Sequence, residues 1–300
     1  EANPLPGRDA GRPPVDALLR WYAPRRAAYP WRGADPYGVW VSEVMLQQTQ
    51  AARVVPAYAA FRRRFPDVAA LAAASRAEVL RAWGSLGYPR RAVAMAEAAR
   101  AMVREHGGRV PDDPAVLVTL PGIGPYTAAA VAALGYGRPV AALDTNVRRV
   151  TARSLLGDEP HRLSAAVVSN SAGEWLGRAR PGDVLQALMD LGRTTCRPRP
   201  RCGECPLAAS CRFVAGGVEP ERAPRRQPAY AGSLREVRGA VLRSLRERAD
   251  ATTLGALVAA TGFDDRRVAD AVRGLAADGV IAAGPAALEG RPRGRVSLPA

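Results

Sequence analysis

Leu120-Pro121-Gly122-Ile123-Gly124-Pro125-Tyr126 is the stretch that decides the fold. Upstream, Val116, Leu117 and Leu120 fall on one helical face, predicting a short helix over 115–120 that Pro121 and Gly122 stop. A second helix is predicted from about Tyr126 through Thr127 to Leu134, ended by Gly135 and Gly137. Gly122 and Gly124 open backbone conformations closed to other residues and leave N–H groups unobstructed at a helix N-terminus, a geometry suited to holding a phosphate. An ordinary tight corner between two helices would use the same residues. Leu143-Asp144-Thr145-Asn146-Val147 follows, where Asp144 is placed to cap a helix, to serve chemistry, or to do both.

The composition narrows the partners. The chain has 300 residues, 48% of them hydrophobic and 24% charged, which suits a globular protein of two or three domains. Its formal net charge is +15, and nucleic acid is the first partner that such a balance suggests. All 43 Lys/Arg positions are arginine, so a Schiff base on a lysine side chain is excluded. No apolar run approaches the length of a membrane span, and no apolar signal core opens the chain. No membrane association and a cytoplasmic location are therefore expected.

Residues 1–14, rich in Gly, Pro and charge, read as a disordered lead-in. Helices are expected at 15–22, from Asp35-Pro36 through Gln50, and over 52–65, 68–71, 76–83, 91–103, 147–156, 163–175 and 182–191. Tyr29-Pro30-Trp31-Arg32 forms an aromatic turn, and Leu86-Gly87-Tyr88-Pro89 a tight turn presenting a ring. Glu43 is flanked at helical spacing by Val39, Trp40, Leu46 and Gln47. It either faces solvent or, if buried, is held protonated as a general acid requires.

All four cysteines, Cys196, Cys202, Cys205 and Cys211, are separated by five, two and five residues. In a cytosolic chain they read as metal ligands rather than disulfides, and four thiolates suit zinc as well as an iron–sulfur cluster. Residues 216–231 read as a linker. In 232–300, three helical stripes precede 279–281 and 295–298, which are expected to pair as a β-hairpin. This order resembles a winged-helix domain whose third helix carries Arg266, Arg267 and Arg273, and a plain docking module fits equally well.

From about residue 15 to 215 the chain resembles the helix-hairpin-helix glycosylases of base excision repair, and within them the adenine DNA glycosylases of the MutY type. The marks are Pro30-Trp31-Arg32, the string Val39-Trp40-Val41-Ser42-Glu43-Val44-Met45-Leu46-Gln47-Gln48-Thr49-Gln50, Leu86-Gly87-Tyr88, the hairpin and the cysteine loop. The resemblance implies a mainly α fold with two such domains. A six-helix barrel would occupy 36–139, and a cluster domain 15–35 with 140–215; the small α+β domain at 232–300 follows.

The resemblance also implies roles. Glu43 would protonate adenine, Asp144 would stabilise the positive sugar, and Asn146 would support the same site. Gln48 and Tyr88 would wedge into the base stack. Trp31, Arg32, Leu46 and Gln186 would line the adenine pocket, and Gln47, Thr49 and Leu86 would add contacts to DNA. Gly122 and Gly124 would grip the backbone, and the four cysteines would hold a [4Fe–4S] cluster. Tyr126 stands where related strand-cleaving enzymes carry a catalytic lysine, which points to hydrolysis by water. The expected substrate is double-stranded DNA with adenine opposite 8-oxoguanine or guanine, met by a monomer at the bacterial nucleoid. Alternatives are thymine or uracil opposite guanine, or a non-catalytic DNA-binding protein on the same scaffold.

Three departures stand out. Thr145 sits where the family often has glycine, the first cysteine gap is five residues rather than six, and 232–300 is too short for the family's usual C-terminal Nudix-like domain.

Overall fold

The computed structural model describes residues 13–177, 180–221 and 230–299. Residues 1–12 of the expected lead-in and 222–229 of the expected linker lie outside these. In chain order the helices are α1 (Val15–Tyr22), α2 (Pro36–Leu46), α3 (Ala51–Arg64), α4 (Val68–Ala73), α5 (Arg76–Trp83), α6 (Arg90–His106), α7 (Pro114–Leu117), α8 (Pro125–Ala130), α9 (Thr145–Thr151), α10 (Ala165–Leu176), α11 (Pro181–Thr194) and α12 (Arg212–Ala215). One π-helical turn extends α8 over Val131–Gly135, and another extends α9 over Ala152–Leu156. Then come α13 (Leu234–Arg246), β1 (Thr252–Thr253), α14 (Leu254–Thr261), α15 (Asp265–Ala277), β2 (Ala282–Ala283), α16 (Pro285–Leu288) and β3 (Arg295–Ser297).

These elements form two units: the described parts of 1–40, 112–118 and 123–225, and those of 41–111, 119–122 and 226–300. The first is built on α1, whose Val15, Leu18 and Tyr22 recur at helical spacing and are buried with Trp175, Leu176, Leu188 and Leu191. Ala129, Ala130 and Ala133 enter the same core. That is why the second helix of the hairpin groups with this unit. The start of the expected linker is also held here, because Glu221 pairs with Arg162 and, at 2.6 Å, with His161.

In the second unit, Phe61 meets Phe65 and Trp83 edge-on, and Ala92, Ala96, Ala98 and Ala99 line the buried face of α6. Ser75 and Glu78 form a reciprocal capping box on α5, which sets the start of that helix. The segment 232–300 adds the helices α13 to α16 and an antiparallel sheet of order β1-β3-β2, in which Val296 faces Thr252 on one side and Ala283 on the other. This is the winged-helix arrangement, with two differences from expectation. A strand at Thr252–Thr253 joins the sheet, and the first wing strand is Ala282–Ala283 rather than 279–281, whose Val280 and Ile281 are instead buried.

Candidate active site

Asp144 is the N-cap of α9. Its Oδ1 accepts from the backbone N–H of Asn146 at 2.9 Å and of Val147 at 2.6 Å, and its Oδ2 accepts from Asn146 Nδ2 at 2.8 Å. Such a cap contributes about 1 kcal/mol to the helix, and here it also fixes both carboxylate oxygens. Burial pushes the Asp144 pKa up, against the lowering effect of those hydrogen bonds and of Arg149. A desolvated carboxylate interacts more strongly with a developing positive charge than a hydrated one does.

Asn146 is itself held. Its Oδ1 accepts from Arg149 Nη2 at 2.9 Å, and the same guanidinium donates to Gly192 O and Cys196 O, each at 2.7 Å. The hydrogen-bonded path therefore runs from Asp144 through Asn146 and Arg149 to the main chain of the first cysteine. Arg149 was not foreseen; its position one turn after Asn146 is a signal only once Asp144 is known to cap the helix.

The expected pocket residues of the first unit also converge. Arg32 Nη2 pairs with Asp190 Oδ2 at 2.7 Å, and both side chains are buried. Arg32 Nη1 donates to Tyr22 OH at 3.0 Å, and that hydroxyl donates to Gln186 Oε1 at 2.9 Å. Arg32 also lies over the rings of Tyr22 and Tyr29, and Tyr29 stacks on Trp31 at 4.9 Å between centroids. Asp190, one turn after Gln186 on α11, is the partner that sequence reading missed. Tyr126 packs, partly buried, against the core of this unit.

Glu43 lies in the second unit, on a stretch of α2 where Val41, Ser42, Val44 and Met45 are buried too, and is itself only 6% exposed. The solvent-facing alternative is thereby removed. The helix stops at Leu46 rather than continuing through Gln50, because Gln48 takes a left-handed φ of 55° that ends the helical path. Gln48 is exposed, while Leu46, Gln47 and Thr49 are partly buried.

Arg91 joins this turn to the one at 84–88. Its Nη1 donates to the carbonyls of Val44, Met45 and Gln47, at 2.7, 3.0 and 2.6 Å. Its Nη2 donates to Thr49 Oγ1 at 3.2 Å and to Gly87 O at 3.1 Å. Burial pushes its pKa down to about 10, which leaves it charged at neutral pH. Nothing local distinguishes Arg91 from the other arginines of the chain. The side chain of Leu86 is buried, while Tyr88 is exposed.

In the hairpin, Gly122 has φ +73°, and a Cβ there would stand 2.6 Å from Ala94 Cβ. Glycine is required at that position. Gly124 is the N-cap of α8 and precedes Pro125 at the first helical position.

All four cysteines line one small cavity together with Arg153, Thr195, Pro200 and Phe213. Burial pushes the Cys196 thiol pKa up and that of Cys205 up to about 11, so these sulfurs favour the thiolate only beside a strong positive charge. Arg153 clasps the loop at one end, with Nη1 on Arg197 O at 2.7 Å, Nη2 on Pro198 O at 3.0 Å, and a buried pair to Glu159 at 2.6 Å. With their backbone pinned, Arg197, Arg199 and Arg201 keep exposed side chains. A cavity walled by four thiols with no acidic side chain in its lining fits an iron–sulfur cluster.

Among known proteins, the model of the HhH-GPD superfamily of base excision DNA repair proteins matches residues 41–167. The adenine DNA glycosylase of Mycobacterium tuberculosis is 43% identical over 271 residues, covering 88% of each chain, a span that must take in part of 232–300. The human adenine DNA glycosylase is 41% identical over 212 residues, covering 65% of this chain and 38% of its own. Among solved structures, a thermostable thymine-DNA glycosylase superposes with a TM-score of 0.63 at 28% identity, covering 67% of this chain and 95% of that one. By this identity over nearly its whole length, the chain belongs to the adenine DNA glycosylase family of the helix-hairpin-helix superfamily.

Proposed function

We propose that the chain hydrolyses the N-glycosidic bond of adenine mispaired with 8-oxoguanine or guanine in duplex DNA, and leaves the strand intact. The observation that carries this reading is the setting of Asp144, desolvated and held at both oxygens by α9 and Asn146. Glu43 gives its proton to a ring nitrogen of adenine, so the base departs neutral with the bonding electron pair. Asp144 faces the positive charge left on the sugar until water adds to it, and the proton that water releases returns to a carboxylate. Asn146 keeps the Asp144 carboxylate in register. Tyr126, in a chain without lysine, offers no amine for a Schiff base.

The base must leave the duplex to meet these groups. Gln48 and Tyr88 fill the space it vacates, and Gln47, Thr49 and the backbone at Leu86 lie beside them as contacts to the opposite strand. Trp31, Arg32, Leu46 and Gln186 receive the adenine, with Asp190 and Tyr22 holding Arg32 in place. The turn at Gly122 and Gly124 grips the phosphate backbone. Cys196, Cys202, Cys205 and Cys211 hold a [4Fe–4S] cluster, which supplies a rigid cross-link that keeps the arginine-bearing loop in shape for DNA phosphates. The protein works as a monomer on the bacterial chromosome; among the described residues no helix is long and apolar enough to cross a membrane.

Single-turnover base release from duplexes with A opposite 8-oxoguanine, A opposite G, T opposite G and U opposite G tests the reading. Adenine release is expected. Release of thymine or uracil without adenine would replace it with the second reading, which the structural likeness to a thymine-DNA glycosylase favours. For the cofactor, a brown protein absorbing near ~400 nm is expected, and a colourless protein with stoichiometric zinc would overturn it.

A further inference from the structure

The turn that carries Tyr88 is costly to form. Gly84, Gly87 and Tyr88 all have positive φ, at 58°, 77° and 46°. For tyrosine this region costs on the order of 1 kcal/mol, and it persists only where the surroundings impose it. Part of that restraint comes from within: Trp83 Nε1 donates to Gly87 O at 2.9 Å, and Arg91 takes the carbonyls of Leu86 and Gly87.

The rest comes from the C-terminal domain. Arg246, the last residue of α13, donates through Nη1 to the carbonyl of Gly84, where the turn begins. Arg81 of α5 donates to Arg248 O at 3.3 Å. Asp278, just past α15, bonds Arg238 and lies 3.5 Å from Arg90, where the turn ends. The domain thus touches 81, 84 and 90, on both flanks of Tyr88. Two of the arginines on its third helix are meanwhile engaged within the domain itself. Arg267 donates to Gly232 O at 2.8 Å over the ring of Phe263, and Arg273 pairs with Asp270 and donates to Leu288 O at 3.1 Å.

We propose that the 232–300 domain braces the turn bearing Tyr88, and that Arg246 is a positioning residue for base flipping through its hold on Gly84. The catalytic consequence rests on the reading of Tyr88 as the wedge. Arg246 is half-buried with its charge directed at a carbonyl, and a charge-assisted hydrogen bond of this kind is worth enough to change the opening of a short turn by about tenfold or more.

The test uses the full chain. Hydrogen exchange of the amides at 84–88 is compared in the parent, Arg246→Ala, Arg246→Lys and Asp278→Ala. Exchange about tenfold faster in Arg246→Ala, partly restored in Arg246→Lys, is expected; unchanged exchange overturns the brace. In single-turnover base release, Arg246→Ala is expected to be about tenfold slower at saturating enzyme with DNA affinity unchanged. Arg246→Ala combined with Tyr88→Ala should be no slower than Tyr88→Ala alone. Losses that multiply, or faster exchange with unchanged base release, overturn the positioning role. If Tyr88→Ala alone leaves base release intact while exchange is still faster in Arg246→Ala, the wedge reading fails and the brace stands. Asp278→Ala reports on the same brace if Arg246→Ala does not fold.

Discussion

A Cβ on Gly192 would stand 2.5 Å from the Cβ of Asn146 and 2.9 Å from its Cα. The close approach of α11 to the first turn of α9 therefore depends on a missing methyl group. It is this approach that lets Arg149 reach Gly192 O while holding Asn146.

Gly192→Ala is accordingly expected to displace Asn146 and loosen its link to Asp144. Overpacking of this kind costs about 1–3 kcal/mol, and a misplaced carboxylate lowers rate by about a hundredfold. Thermal melting and single-turnover base release measured on the same preparation check both figures; normal activity in a destabilised protein would show that Asn146 does not position Asp144.

Glu43→Gln and Asp144→Asn are each expected to lose at least ~10²-fold in base release, the scale of a general acid or a preorganised charge. DNA affinity should be retained, because neither change touches a basic group. An active Glu43→Gln enzyme would mean that the proton comes from elsewhere.

Asp144 also makes a pH prediction. Burial raises its folded pKa above that of the unfolded chain, so its contribution to stability is present below about pH 4 and is lost as pH rises through the folded value. At neutral pH the ionised side chain is a net cost. Asp144→Asn keeps the acceptor that caps α9 and should therefore melt higher than the parent near pH 8, with the gap narrowing as pH falls through the folded value toward about 4. A parent that is more stable throughout would contradict this.

The Arg32–Asp190 pair separates stability from recognition. Asp190→Ala leaves a buried guanidinium without its counter-charge and is expected to cost about 3–5 kcal/mol. Arg32→Met with Asp190→Leu should recover much of that loss while leaving adenine release impaired. Chemical denaturation and base release of the single and double variants decide the matter.

The parts of this structure legible in sequence were those with strong local rules. Val15, Leu18 and Tyr22 gave α1 its bounds by periodicity. The Gln48 turn was hidden because helix-compatible residues run straight through it, while in the fold Arg91 holds the carbonyls of Val44, Met45 and Gln47 where the helix ends. Strands of two residues, such as Thr252–Thr253, are too short to show alternation and exist only by pairing with β3. Arg91 and Arg149 are two arginines among 43, and their selection is a property of the fold.

The hydrogen bonding of Asp144 has one more consequence. Oδ1 holds two backbone N–H groups and Oδ2 one side-chain amide, so a single lone-pair direction of the carboxylate is left for a substrate. An anion held this way cannot swing to follow a nucleotide that arrives off-centre. On the proposed mechanism selectivity then rests on arrival: a base firmly stacked and paired would seldom complete the journey, and correct pairs would be spared because they stay at home.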